Sequence, residues 1–123
     1  MKLTKKTTGN EDVFFQNGVK KYTYYTDSDG FEAWREFDKN DNLIHYKNSN
    51  GYEYWEEYDK NNNLIHSKDS NGFEYWREYD KNNNIIHFKN NIGYETWSDD
   101  NPKNPKNRGV EVDIEPFTFT TEE

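Results

Sequence analysis

Gly30, Gly51, Gly72 and Gly93 stand 21 residues apart, and the segments they open are near copies of one another. The units read GFEAWREFDKNDNLIHYKNSN, GYEYWEEYDKNNNLIHSKDSN and GFEYWREYDKNNNIIHFKNNI, followed by a half unit, GYETWSDD. Extrapolated backwards the period lands on Gly9, and residues 9–29 form a degenerate copy: Glu11 takes the place of Glu32, and Tyr25 to Asp29 that of Tyr46 to Asn50. A short, strict period makes each unit pack against its neighbours, with altered units at the ends of the stack.

Each unit holds two runs suited to strands, as in Phe73 to Tyr79 and Ile85 to Lys89, parted by Asp80-Lys81-Asn82-Asn83-Asn84. Aromatic and β-branched residues suit a pleated surface, whereas Asn and Asp accept close turns. The second turn, Asn48-Ser49-Asn50-Gly51 and its copies, ends on glycine, where φ is expected to be positive. The predicted fold is all-β, an antiparallel meander of tandem β-hairpins, about four in number. One repeat domain spans 1–123. It divides into a cap repeat (9–29), full repeats (30–50, 51–71, 72–92), a half repeat (93–99), an extended linker (100–108) and a tail (109–123), of which 109–121 reads as a strand that folds back on the sheet or joins a partner's edge.

Composition explains how so thin a structure could be ordered. Only 30% of residues are apolar, yet 18% are aromatic, with eight Phe, ten Tyr and four Trp. An aliphatic core is out of reach, and ring stacking takes its place. Alternation puts Phe73, Tyr75, Arg77 and Tyr79 on one face and Glu74, Trp76 and Glu78 on the other. Equivalent residues lie two strands apart, about 9.6 Å, so Trp34, Trp55, Trp76 and Trp97 are expected to form a column. Leu43-Ile44, Leu64-Ile65 and Ile85-Ile86 are expected to fall between them on the intervening strands.

The repeat resembles the YD-repeat (rearrangement-hotspot) family, whose units run from glycine through alternating aromatics to Tyr-Asp, a polar turn and an aliphatic pair. Phe37-Asp38, Tyr58-Asp59 and Tyr79-Asp80 stand at the Tyr-Asp position, across residues 9 to 97. Where family units carry a turn glycine, this chain has Asn42, Asn63 and Asn84. The resemblance implies β-hairpin repeats. Family members form large shells around toxins, which a run this short cannot close. A looser similarity links the chain to the aromatic hairpin repeats of choline- and glucan-binding surface proteins, and implies carbohydrate or choline binding between hairpins.

Several chemistries find no support in the residues. There is no cysteine, hence no disulfide and no thiolate-ligated metal. His45, His66 and His87 occupy one position in three repeats, too far apart to share an ion. The Asp38-to-Asn42 string lacks the glycine and terminal glutamate of a calcium loop. Glu53 with Glu57, and Glu74 with Glu78, lack the two unlike environments that acid–base catalysis needs. The expectation is a non-enzymatic protein with no metal and no cofactor.

The charge is −8, from 16 basic and 24 acidic residues, which disfavours direct nucleic-acid binding. Lys2 to Thr8 is basic and polar with no apolar h-region, and no apolar run approaches a membrane span, so a cytoplasmic protein without membrane contact is expected. The leading expectation is an acidic, aromatic β-surface that engages a basic protein, such as a nucleic-acid-binding enzyme, in the manner of small phage inhibitors including anti-CRISPR proteins. Tyr54, Trp55, Glu57, Tyr75, Trp76 and Glu78 are the expected contact residues. The alternatives are a carbohydrate- or choline-binding module and an oligomeric scaffold joined through exposed sheet edges.

Overall fold

The computed structural model describes residues 2–107, which form one antiparallel sheet of ten strands in sequence order. They are β1 (Thr4–Thr8), β2 (Glu11–Gln16), β3 (Val19–Thr26), β4 (Glu32–Phe37), β5 (Leu43–Asn48), β6 (Glu53–Tyr58), β7 (Leu64–Asp69), β8 (Glu74–Tyr79), β9 (Ile85–Asn90) and β10 (Glu95–Trp97). Each strand touches only its neighbours in sequence. The sheet is therefore a single layer. Ala33 is the one buried hydrophobic residue among those described, and none of the large side chains there is fully buried. The expected meander of tandem hairpins is what forms, with rings in place of an interior. The anticipated strand over 109–121 lies outside the described residues.

The turns at the two ends of the hairpins share one design. In Asp38 to Asn42, the Asp41 N–H donates to the Asp38 carbonyl (3.1 Å) and the Asp38 N–H donates to the Asn42 carbonyl (2.9 Å). The Asp38 carboxylate accepts the N–H groups of Asn40 and Asn42, each at 2.9 Å. Asp41 takes a φ of 68°. At the other end Asn48 accepts from Asn50 and Tyr52 (2.9 and 3.2 Å), and the left-handed residue is Gly51 at φ 89°. Each is a β-turn closed by one left-handed residue, a common hairpin loop. The left-handed positions at the Asp-anchored end are Asp41, Asn62 and Asn83. Expecting Asn42, Asn63 and Asn84 to fill the glycine's place was one residue too late: those asparagines close the hairpin and tie it to the next. Asn42 Nδ2 donates to Asn62 Oδ1 (2.9 Å), and Asn63 Nδ2 to Asn83 Oδ1 (2.8 Å).

Two stretches depart from expectation. Thr4–Thr8, which lies outside the repeats assigned from the sequence, is an edge strand paired with β2. Residues 100–107 are no extended linker. Asn101, Asn104 and Asn107 each donate a backbone N–H to the residue three before (3.2, 2.9 and 2.9 Å), a chain of turns. The Asn101 side chain donates to the Ile86 carbonyl (3.0 Å) and that of Asn104 to the Ser98 carbonyl (3.0 Å), so both asparagines are buried. The triplet spacing Asn-Pro-Lys-Asn-Pro-Lys-Asn, with Asn able to cap its own turn, explains the fold-back.

Candidate functional site

Residues paired across an antiparallel sheet share a face, so the register defines two surfaces. On one, Trp34 lies opposite Tyr24 and Lys47, Trp55 opposite His45 and Lys68, Trp76 opposite His66 and Lys89, and Trp97 opposite His87. The tryptophans share one face as expected, but their row runs obliquely across the sheet, since Lys47 opposite Trp34 pairs onward with Glu53, two residues from Trp55, and lysine and histidine stand between the rings instead of the aliphatic pairs. The aliphatic pairs are the first residues after each turn and so sit at the turn end of the strands, where a register shift after Glu36, Glu57 and Glu78 pairs Phe37 with Leu43, Tyr58 with Leu64 and Tyr79 with Ile85. A β-bulge is invisible to alternation counted along one strand.

The histidines are the connecting pieces. His45 lies parallel to Trp55 and His66 to Trp76, with centroids 5.4 Å apart in both pairs, and His87 lies 3.7 Å from Trp97. Each imidazole also meets carboxylates on neighbouring strands. His66 Nδ1 contacts Glu57 Oε1 and its Nε2 contacts Glu74 Oε2, both at 2.6 Å. His87 lies between Glu78 (2.9 Å) and Glu95 (2.7 Å), and His45 contacts Glu53 at 2.6 Å. Burial pulls the His66 pKa down, but hydrogen bonds to Glu74 and Glu57 outweigh it and hold the imidazolium above its usual range. The hydrogen bond from His87, helped by Lys103, holds the Glu78 carboxyl below its usual range. Among the described residues no group of three His, Cys, Asp or Glu could hold a metal ion.

The opposite face is a tyrosine and phenylalanine band. Tyr46 stacks on Tyr54 at 5.1 Å, Tyr75 meets Phe88 at 5.6 Å, and Arg35 and Arg77 lie over Tyr46 and Tyr75 at 5.0 and 4.9 Å. The six expected contact residues are thereby divided. Trp55, Glu57, Trp76 and Glu78 share the tryptophan face, whereas Tyr54 and Tyr75 pair with residues of the other face and cannot join one contact surface with them. Sequence reasoning passed over His66, His87, Lys68 and Lys89 as members of the site. The signal was available: once hairpins of 21 residues are assumed, the turn between β7 and β8 sets His66 opposite Trp76.

Trp34, Trp55 and Trp76 are 38, 42 and 38% exposed, a high value for so large a ring in a regular strand. Two depressions open on this face. One is lined by Ile44, Trp55, Glu57, His66 and Lys68, the other by Ile65, Trp76, Glu78, His87 and Lys89. Both are shallow and open, and each mixes apolar with acidic and basic side chains, Arg77 and Lys103 among them in the second. Their chemistry suits contact and stacking. It offers no nucleophile paired with a base.

The charge is less one-sided than the total suggests. Residues 1–107 carry 15 basic and 19 acidic side chains, leaving half of the −8 in residues 108–123. Compared with protein-family models and with curated proteins, the chain matches none.

Proposed function

We propose that the chain is a non-enzymatic protein-binding module that presents its tryptophan face to a partner with a basic surface. The exposure of Trp34, Trp55 and Trp76 in a sheet with no second layer carries this reading. Ring area concentrates binding energy, and carboxylates at the rim favour cations over anions. Glu57 and Glu78, 68 and 42% exposed in their side chains, are the rim acids. Recognition rests on the rings first and on charge second, because His66, His87 and Lys103 already partner these carboxylates. That pairing favours docking on a mixed basic and apolar surface over mimicry of a nucleic-acid backbone, whose charge is uninterrupted. Kinship with YD repeats is proposed for the hairpin unit alone, on Tyr58-Asp59 and Tyr79-Asp80.

The test is affinity capture from cell extract with the whole chain and with Trp55→Ala and Trp76→Ala variants, washed at low and high salt. A partner is expected that the unaltered chain holds, that either variant loses, and that high salt weakens. Capture of the same proteins by all three chains would defeat the proposal.

A further inference from the structure

The two ends of the sheet differ in charge. β1 is the last strand at one end, its outer edge unpaired among the described residues and all five of its residues exposed. Residues 1–10 hold Lys2, Lys5 and Lys6 and no acid, a net charge of +3. At the other end β10 carries Glu95 and leads into Asp99 and Asp100. Beyond it, residues 108–123 contain one arginine against the acids Glu111, Asp113, Glu115, Glu122 and Glu123, a net charge of −4.

An open strand edge offers a row of N–H and C=O groups to any chain that can run alongside it. The lysines decide which chain. Lys5 and Lys6 are adjacent and so stand on opposite faces, Lys5 across from Phe14 and Lys6 across from Val13. Among the described residues neither has an ion-pair partner. A second β1 laid antiparallel on the first would bring lysines together, which like-charge repulsion disfavours. An acidic strand instead meets a lysine whichever face its carboxylates take. Residues 110–115 have that pattern: Val110, Val112 and Ile114 alternate with Glu111, Asp113 and Glu115, every residue has an N–H to donate, and Pro116 ends the run.

Reach excludes the chain's own β1. Asn107 is held at the β10 end, where its side chain donates to the Asp99 and Asn101 carbonyls (2.8 and 2.7 Å). Nine strand steps separate β10 from β1, about 43 Å along the sheet at ~4.8 Å per step. The three residues from Asn107 to Val110 span about 11 Å at most. The near edge, β10, offers only three residues, with Glu95, Asp99 and Asp100 around it to repel an acidic strand. We infer that residues 110–115 of one copy add as a strand to the β1 edge of another, joining copies head to tail. Lys5 or Lys6 of one copy meets Glu111 or Asp113 of the next. Such a contact is heterologous and does not close on itself, so assemblies lengthen with concentration. It uses a sheet edge, and stands apart from the partner proposed for the tryptophan face.

The test is sedimentation velocity of the whole chain over a concentration series at low and high salt, beside two charge-reversed variants. Lys5→Glu/Lys6→Glu reverses the edge, and Glu111→Lys/Asp113→Lys reverses the segment that docks on it. The unaltered chain is expected to form dimers and longer species as concentration rises, and to lose them at high salt. Each variant alone is expected to associate at least about tenfold more weakly, and the two mixed in equal amounts to regain the loss, because each finds the complementary charge on the other. A monomer at millimolar concentration would overturn the inference. So would association that either variant leaves unchanged, or a mixture of folded variants that stays monomeric. Circular dichroism establishes that each variant keeps its sheet. Should one fail to fold, Val112→Pro/Asp113→Pro replaces the mixture: it removes an N–H toward either side of the segment and is expected to abolish association, and undiminished association in it would overturn the inference.

Discussion

The two turn edges of the sheet have the same backbone and different side chains. At one edge Asp38, Asp59 and Asp80 anchor the loops and Asp41, Asn62 and Asn83 take the left-handed position; at the other, Asp27, Asn48, Asp69 and Asn90 anchor and glycine turns. One geometry is thus reached by two routes. The glycine edge relaxes the backbone and lets a neutral or charged anchor suffice. The other keeps a side chain in a conformation that disfavours it, and sets a carboxylate at every one of these anchors. The carboxylate's stronger acceptance of N–H groups offsets the backbone's reluctance.

Removing an anchor should separate the edges most. Asp38→Ala deletes a charged acceptor of two backbone N–H groups and is expected to destabilise by about 2 kcal/mol, whereas Asn48→Ala, its neutral counterpart, should lose about 1 kcal/mol. Urea unfolding midpoints measure both, and equal losses would show that the anchor's charge is irrelevant. Exchanging the left-handed residues gives a smaller effect of opposite sign. A Cβ at Gly51 meets nothing within 4 Å, so Gly51→Ala suffers only from its φ of 89°, a loss of about 1 kcal/mol. Asp41→Gly releases the same restraint at the cost of one exposed ion pair with Lys20 and should gain about 0.5 kcal/mol, less the entropy of a freer unfolded chain. Thermal unfolding of the pair checks the signs.

Acidity gives the smallest and most diagnostic contrast. Hydrogen bonds from Asn63 and Asn84 amides hold the carboxyls of Asp59 and Asp80 below their usual range. Their stabilisation is full above about pH 4, the unfolded value, and is lost as pH falls through the lower folded value. His66 runs the other way. Its raised pKa contributes stability that is full below about pH 6.5 and fades as pH rises through the folded value. Stability should peak between about pH 4 and 6.5. Amide exchange at Asn63 and Asn84 should quicken first on acidification, ahead of Tyr52 behind the uncharged Asn48. Simultaneous quickening at both edges would remove the distinction.

Much of this was readable from the residues because the period does most of the folding. Phe73 to Tyr79 and Ile85 to Lys89 differ by only a residue from β8 and β9, and Gly30, Gly51, Gly72 and Gly93 all take positive φ. The faces were readable only in part. Alternation separates Tyr75 from Trp76, yet the bulge at Glu78 and Tyr79 depends on two strands at once, and so does the meeting of His66 with Glu57, Glu74 and Trp76. Asn17-Gly18 carried its own message, a two-residue turn with both φ values positive at 53° and 78°, which the search for 21-residue copies obscured. At Asn101 and Asn104 proline suggested an open chain, while the buried asparagine amides decided otherwise.

Contact confined to sequence neighbours has a consequence for how such a molecule can change length. Nothing in a middle hairpin depends on how many hairpins stand above or below it, because strands touch only adjoining strands and each Asp-anchored turn reaches no further than the next one, as Asn42 does to Asn62. Duplicating or deleting 21 residues between Gly51 and Gly72 therefore shifts the ends without disturbing any other pairing, and adds or subtracts one tryptophan from the face. The number of tryptophans along that face is a matter of gene length, and the special structures at either end, β1 and the asparagine turns after Trp97, can travel with the ends unchanged.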